Sequence, residues 1–279
     1  MAMTFFRWLV AIVILTPFAW PHLRRDWPVL RAHWKTMLAL GAIGVGTHNG
    51  LAYLVLNYKT ATNGVILNSF IPIMIIAMSW IFLRERLAPR QVAGVLVSLA
   101  GVLIILSKGS VDTLLRFSVN VGDLFIILSM AMWAAYTIGL RWRPKGVNLL
   151  SFLLVVAVIG DLCVVPLLFW EMALGRYVHW SWTVLGALIA VGLFSSVLAY
   201  IFWNRGVEAV GANVAGLFVH LMPVYGVVLA WLFLGERTAP YHLAGIALIL
   251  AGIWATSRLS GKRIEVDGVK AEVAAVGTD

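Results

Sequence analysis

Residues 61–101 read ATNGVILNSFIPIMIIAMSWIFLRERLAPRQVAGVLVSLAG, and residues 212–252 read ANVAGLFVHLMPVYGVVLAWLFLGERTAPYHLAGIALILAG. The two stretches align without a gap at a constant offset of 151, with fourteen identical positions. These include Ala61/Ala212, Pro72/Pro223, Trp80/Trp231, Phe82/Phe233, Glu85/Glu236, Arg86/Arg237, Pro89/Pro240, Gly94/Gly245 and Gly101/Gly252. Apolar sequence matches itself by chance at some rate. Pro, Trp, Glu-Arg and Gly matching in one register mark an internal repeat instead.

The rest of the chain says which solvent the repeat was made for. Of 279 residues, 62% are hydrophobic and only 12% charged, against roughly 25% charged in a soluble domain. A globule of this composition could not cover itself with polar groups, so lipid is its solvent. The 13 Trp and 25 Gly agree, being favoured at or within bilayers. The net charge of +9 does not point to nucleic acid, because the basic residues sit in short loops and form no stripe. Cys163 is the single cysteine, so no internal disulfide framework exists.

A spanning helix needs about 20 mostly apolar residues. Nine such runs are visible: Met3–Pro21, Thr36–Leu56, Asn63–Leu83, Gln91–Ser107, Val121–Leu140, Leu149–Ala173, Trp182–Trp203, Asn213–Leu234 and Tyr241–Ser257. They are too long for strands and lack alternation. The sequence therefore predicts an all-α integral membrane protein with a polar tail, residues 258–279, expected to be disordered and cytoplasmic. Alternate loops carry fifteen and six Lys and Arg respectively. The positive-inside rule makes the richer set cytoplasmic and places the C-terminus inside. Five spans separate the ERLAP loop (Glu85–Pro89) from the ERTAP loop (Glu236–Pro240). Five is odd, so the copies face opposite sides of the membrane, and the repeat is inverted, as in many transporters.

With FFRWLVA (residues 5–11), GDLFIILSMAMWAAYTIGLR (122–141) and GANVAGLFVHL (211–221) beside the two copies, the chain resembles the drug/metabolite transporter superfamily, EamA type, over nearly its whole length up to about Arg258. The resemblance implies a ten-span fold of two inverted five-helix repeats. Here residues 1–107 would form the first repeat with four visible spans, and 121–257 the second with five. Two readings of the N-terminus follow: residues 1–21 as a signal peptide, or a further span before Met3. The repeat symmetry favours the second. The resemblance also implies a permease exporting amino acids, related metabolites or drugs, commonly in a bacterial inner membrane, by alternating access around a midplane cavity between the repeats.

Polar residues inside spans are costly and usually face inward. Asn49 and Tyr53 share a helix face, as do Gly64, Asn68 and Pro72; Ser129, Trp133 and Tyr136; Ser196 and Tyr200; and Asn213, Gly216, His220 and Pro223. Aromatic groups among amides and hydroxyls suit a neutral or zwitterionic organic solute. Each aromatic taken singly also reads as helix packing. Pro72 and Pro223 fall mid-span as hinge candidates, each expected to leave a carbonyl unpaired, those of Asn68 and Val219. His48, Asp161 and His220 are the candidates for proton coupling, with Arg7 a candidate partner for Asp161. A lone histidine is more often a structural hydrogen-bonding group. Glu85 and Glu236 read as anchors of interfacial turns. The small pairs Gly46/Gly50 and Gly192/Ser196 permit close helix approach, and both a monomer and a homodimer stay open.

The rival readings have weaker support. There is no H-E-x-x-H and no G-x-S-x-G, so an intramembrane enzyme lacks its usual signatures. No phosphate-binding glycine loop, metal-ligating cysteine cluster or cofactor motif is present. A channel filter would present a ring of charges or carbonyls, which this charge-poor interior does not suggest. The expected partners are membrane lipid, a small-molecule solute and a proton, with no nucleic acid, cofactor or metal.

Overall fold

The long apolar runs fold as helices, and their ends follow from local chemistry. The computed structural model describes residues 1–55, 67–110, 112, 121–236 and 238–257. Nine helical elements are described, numbered here in chain order. They are α1 (Ala2–Ala32), α2 (residues 34–55), α3 (Ile71–Leu83), α4 (Pro89–Leu106), α5 (Val121–Gly139), α6 (Leu149–Ala173), α7 (Trp182–Val210), α8 (Ala212–Leu234) and α9 (Pro240–Ser257). No strand occurs among the described residues. Seven of the described helices are long and apolar enough to cross a membrane, and α3 is a shorter apolar one. This is an all-α, multi-pass membrane protein. Gly64, Arg237, the first residues of the expected third span and the 258–279 tail lie outside the described residues.

The described residues form two compact units. One draws on 1–67 and 119–209, the other on 68–118 and 210–279. The first thus holds α1, α2, α5, α6 and α7, and the second α3, α4, α8 and α9. Each unit takes helices from both halves of the chain.

The first unit is built on α1 against α6. Trp8, Ala11, Leu15 and Ala19 form one buried stripe on α1 at helical spacing. On α6, Leu153, Ala157, Gly160, Val164 and Leu168 do the same. The two helices run antiparallel. Asp26 Oδ2 accepts from the backbone N–H of Asn148 at 2.9 Å, and Glu171 Oε2 accepts from that of Ala2 at 2.7 Å. Each helix thereby places a carboxylate at the other's N-terminus, where orphan N–H groups and the helix dipole favour it. Asn148 caps α6 itself by accepting from Leu150 N–H at 2.8 Å.

Two boundaries differ from the sequence expectation. The first run was expected to stop at Pro21, but α1 continues to Ala32 through Pro17, Pro21 and Pro28. A proline inside a helix removes one ladder bond. Packing downstream offsets this loss, since Leu30 is buried and Asp26 is tied to α6. The seventh run extends past Trp203 to Val210.

The offset of 151 recurs in the coordinates, beyond the stretch where the sequence shows it. α2 and α7 each carry a π-helical segment, Gly41–Thr47 and Gly192–Leu198, at equivalent positions. α3 and the second half of α8 (Met222–Leu234) match residue for residue. α3 ends on Arg84 and α8 on Gly235, both left-handed, with φ of 56° and 67°. Before α4, Gln91 Oε1 accepts from Ala88 N–H at 2.8 Å; before α9, His242 Nδ1 accepts from Ala239 N–H at 3.0 Å. Different residues thus make the same cap at equivalent positions, and Pro89 and Pro240 open the helices, where a missing N–H costs nothing.

In the second unit α4 packs on α9 through glycines. A Cβ on Gly94 would lie 2.8 Å from Gly252 O, and one on Gly101 would lie 2.5 Å from Gly245 O. The offset maps Gly94 to Gly245 and Gly101 to Gly252, so the crossing is self-complementary, as a pseudo-two-fold requires.

The prolines differ from expectation. Pro72 and Pro223 stand in the first turns of α3 and of Met222–Leu234, not within a continuous ladder. α8 breaks into a 3-10 turn at Phe218–Leu221, and there Met222 N–H bonds the Val219 carbonyl expected to be free. The break absorbs the missing donor.

Candidate functional site

The π segment of α2 frees backbone acceptors for side chains. In a π turn the ladder is locally loosened, and such turns recur at functional sites. In α2 the Gly44 carbonyl accepts from Tyr200 OH at 2.7 Å and from Asn49 Nδ2 at 3.1 Å. Asn49 Nδ2 also lies 2.9 Å from Val45 O and donates to Tyr200 OH at 3.1 Å. Asn49 and Tyr200 are themselves equivalents at the offset of 151, so the bond joins matching positions of α2 and α7. A Cβ on Gly44 would strike the Tyr136 ring, with Cε2 2.8 Å away. Gly44 is therefore required for close approach.

Around this centre lies an aromatic cluster. Trp133 on α5 is 4.9 Å from His48, 5.5 Å from Tyr136, 5.4 Å from Tyr200 and 5.2 Å from Trp203, centroid to centroid. Trp8 meets Tyr200 edge-on at 4.9 Å. Asn204, the equivalent of Tyr53, donates to Tyr136 OH at 2.9 Å. Trp203 Nε1 donates to Thr137 Oγ1 at 3.2 Å. Arg7 on α1 donates to Tyr53 OH at 3.2 Å and to Asn49 Oδ1.

Six candidates from the sequence, Asn49, Tyr53, Trp133, Tyr136, Ser196 and Tyr200, thus belong to one unit. Asn68, Pro72, Asn213, His220 and Pro223 belong to the other. There His220 is fully buried, with Nε2 2.9 Å from Ser69 O and Nδ1 2.8 Å from Ser98 Oγ. A carbonyl only accepts, so Nε2 carries the proton and, in the neutral ring, Nδ1 accepts from the Ser98 hydroxyl. Ser69 and His220 are again equivalents at 151. Asn213 lies at the start of α8, where its Nδ2 donates to Ser79 Oγ at 3.2 Å and to Glu85 Oε2 at 3.4 Å. Glu85 also accepts from Ser79 Oγ at 3.1 Å. Asn68 is half-buried just ahead of α3.

His48 donates from Nδ1 to Ser129 O at 2.9 Å, and Ser129 Oγ donates back to His48 O at 2.9 Å. Asp161 has no pairing with Arg7. Its Oδ1 is buried on α6 without a partner, while Arg7 is held from α2. The antiparallel register explains this, for it sets Arg7 level with the Pro166 turn and beyond reach of Asp161. Sequence reasoning passed over the π segments, Arg7 as a hub, and Asn204. The glycines of GAIGVGT (Gly41–Thr47) and the 151 pairing of Tyr53 with Asn204 were the available signals. Among the described residues no group of three His, Cys, Asp or Glu gathers to hold a metal.

The profile of the EamA-like transporter family matches residues 1–107 and 120–258. The chain belongs to the EamA-like transporter family. Among relatives of this EamA protein, an uncharacterized transporter, YyaM, of Bacillus subtilis is 27% identical over 231 residues, covering 82% of this chain and 74% of its own. An uncharacterized transporter of Archaeoglobus fulgidus is 25% identical over 261 residues, covering 91% and 86%. A WAT1-related protein of Arabidopsis thaliana is 25% identical over 295 residues, covering 95% and 76%. A solved crystal structure superposes with a TM-score of 0.72 at 19% identity, covering 94% of this chain and 88% of that one. That likeness concerns the fold alone. Family and relatives make the chain a membrane transporter.

Proposed function

We propose that this EamA-like transporter exports a small organic metabolite, an amino acid or a related solute, by alternating access. Supporting this is one observation above all: the Asn49–Tyr200 bond, two residues beyond the π segments of α2 and α7. It sets polar side chains, exposed carbonyls and an aromatic cluster where equivalent helices of the two repeats meet. Irregular backbone at membrane depth is tolerated where it is enclosed by protein or lines a cavity, and carrier sites are built from it. A site of this kind binds and releases, and the transporter family favours that reading. Comparing metabolites retained by cells with and without the protein tests the reading. A short set of organic solutes should accumulate in its absence, and an unchanged profile would contradict export.

The Lys and Arg bias supports a cytoplasmic C-terminus in the cell membrane, which a C-terminal reporter fusion checks. Energy coupling through a proton falls to Asp161, whose buried Oδ1 lacks a partner, ahead of His48 and His220, whose rings are held by serines. We expect Asp161→Asn to lose the pH dependence of uptake in proteoliposomes. Full retention would remove the carboxylate from the mechanism.

A further inference from the structure

Arg7 is a full charge inside a span, 6% exposed. Among the described residues it makes no ion pair. Its partners, Asn49 and Tyr53, are neutral, as are the rings of Trp8 and Tyr53 that lie 5.4 and 5.3 Å from its guanidinium carbon. They accept hydrogen bonds but leave the charge uncompensated. Charged groups buried within a span mark ligand or ion pathways.

A second observation concerns the neighbouring donors. Arg7 Nε, Trp8 Nε1, Thr4 Oγ1 on α1 and Ser196 Oγ on α7 are all buried without a hydrogen-bond partner. They belong to one crossing. A Cβ on Gly192 would lie 3.2 Å from Arg7 O, and the Trp8 ring meets that of Tyr200, one turn beyond Ser196. Nε–H and indole N–H only donate, and both hydroxyls can. A surplus of donors around an uncompensated cation lacks an anionic acceptor. A carboxylate fits, because it accepts two parallel N–H bonds from one guanidinium.

We propose that the α1–α7 crossing around Arg7 seats the carboxylate of the transported solute, which is therefore an organic acid or amino acid. Trp8, Tyr53 and Tyr200 flank its apolar part. This deepens the carrier reading and rests on it.

The test heats purified protein in detergent with amino acids and simple mono- and dicarboxylic acids, each beside its amide. We expect at least one acid to raise the melting temperature while its amide does not. Arg7→Gln should weaken that acid at least tenfold, and Arg7→Lys should restore part of the loss, since lysine keeps the charge but not the fork. If Arg7→Gln fails to fold, Trp8→Phe, which keeps a ring and removes the N–H, should weaken the acid several-fold. Acid binding unchanged in the variant that folds, or amides binding as tightly as acids, would overturn the proposal. So would a panel in which no acid is preferred. Those outcomes concern the anion seat alone, because export itself is read from the metabolite comparison.

Discussion

At the scale of the residue, the two repeats solve the same local problem with different side chains, and the difference has energetic consequences. Arg84 and Gly235 occupy equivalent left-handed helix ends, yet only glycine adopts that conformation without strain. A side chain there costs about 1 kcal/mol. We expect Arg84→Gly to stabilise the protein by about that amount, read as a higher midpoint of thermal unfolding in detergent. An unchanged or lower midpoint would mean that the arginine side chain contributes more than the backbone strain costs. The sequence shows the pair only as a mismatch inside a matching stretch. That it lies at a positive φ becomes visible once the helix ends are placed. Most of the intramembrane polar residues were legible singly from their depth in apolar runs. Their partners were not, because hydrogen bonds such as Asn49–Tyr200 and His220–Ser69 link residues 151 apart. Recognising them requires treating the offset as a spatial axis.

At the scale of the element, helix type and glycine placement matter more than helix count. Spans could be drawn from hydropathy, because each is a continuous apolar run. The π segments could not, because periodicity over a single turn barely distinguishes 3.6 from a wider winding. Prolines misled for a related reason. Pro17, Pro21 and Pro28 are carried within α1, whereas Pro72 and Pro223 begin fresh helices after a break. Tertiary packing decides between these outcomes, and sequence position does not. The break keeps the hinge proposal testable. Pro72→Ala combined with Pro223→Ala should impair transport at normal membrane levels, and wild-type rates would refute the hinge. The α4–α9 crossing gives a sharper expectation. Gly101→Val sets a branched side chain against the Gly245 carbonyl, and we expect a loss of about 1–3 kcal/mol, as for overpacked cores. Gly252→Val should cost a similar amount, since the offset of 151 makes it the equivalent of Gly101 and sets it against the Gly94 carbonyl. Markedly unequal losses would argue against the two-fold arrangement.

For the whole molecule, the offset of 151 read at Glu85–Pro89 and Glu236–Pro240 recurs among the described helices. It runs through α2/α7, α3/α8 and α4/α9 in one register, while α1 and α6 follow it as an antiparallel pair. The all-α membrane fold and the family were legible because apolar composition and matched Pro, Trp and Gly positions survive in the linear sequence. The division into two units, each mixing helices of both halves, was not, because it depends on contacts far apart along the chain.

The proposed solute site of this carrier is organised by Asn49 and Tyr200 between equivalent helices. Its most direct test is a comparison of retained metabolites in three strains: cells lacking the protein, cells expressing it, and cells expressing Asn49→Ala with Tyr200→Phe at equal membrane level. Wild-type protein should deplete a small set of organic solutes, and the double variant should leave them near the level of the deficient cells. Depletion by the variant equal to wild type would contradict the site, and no depletion by either would contradict export itself.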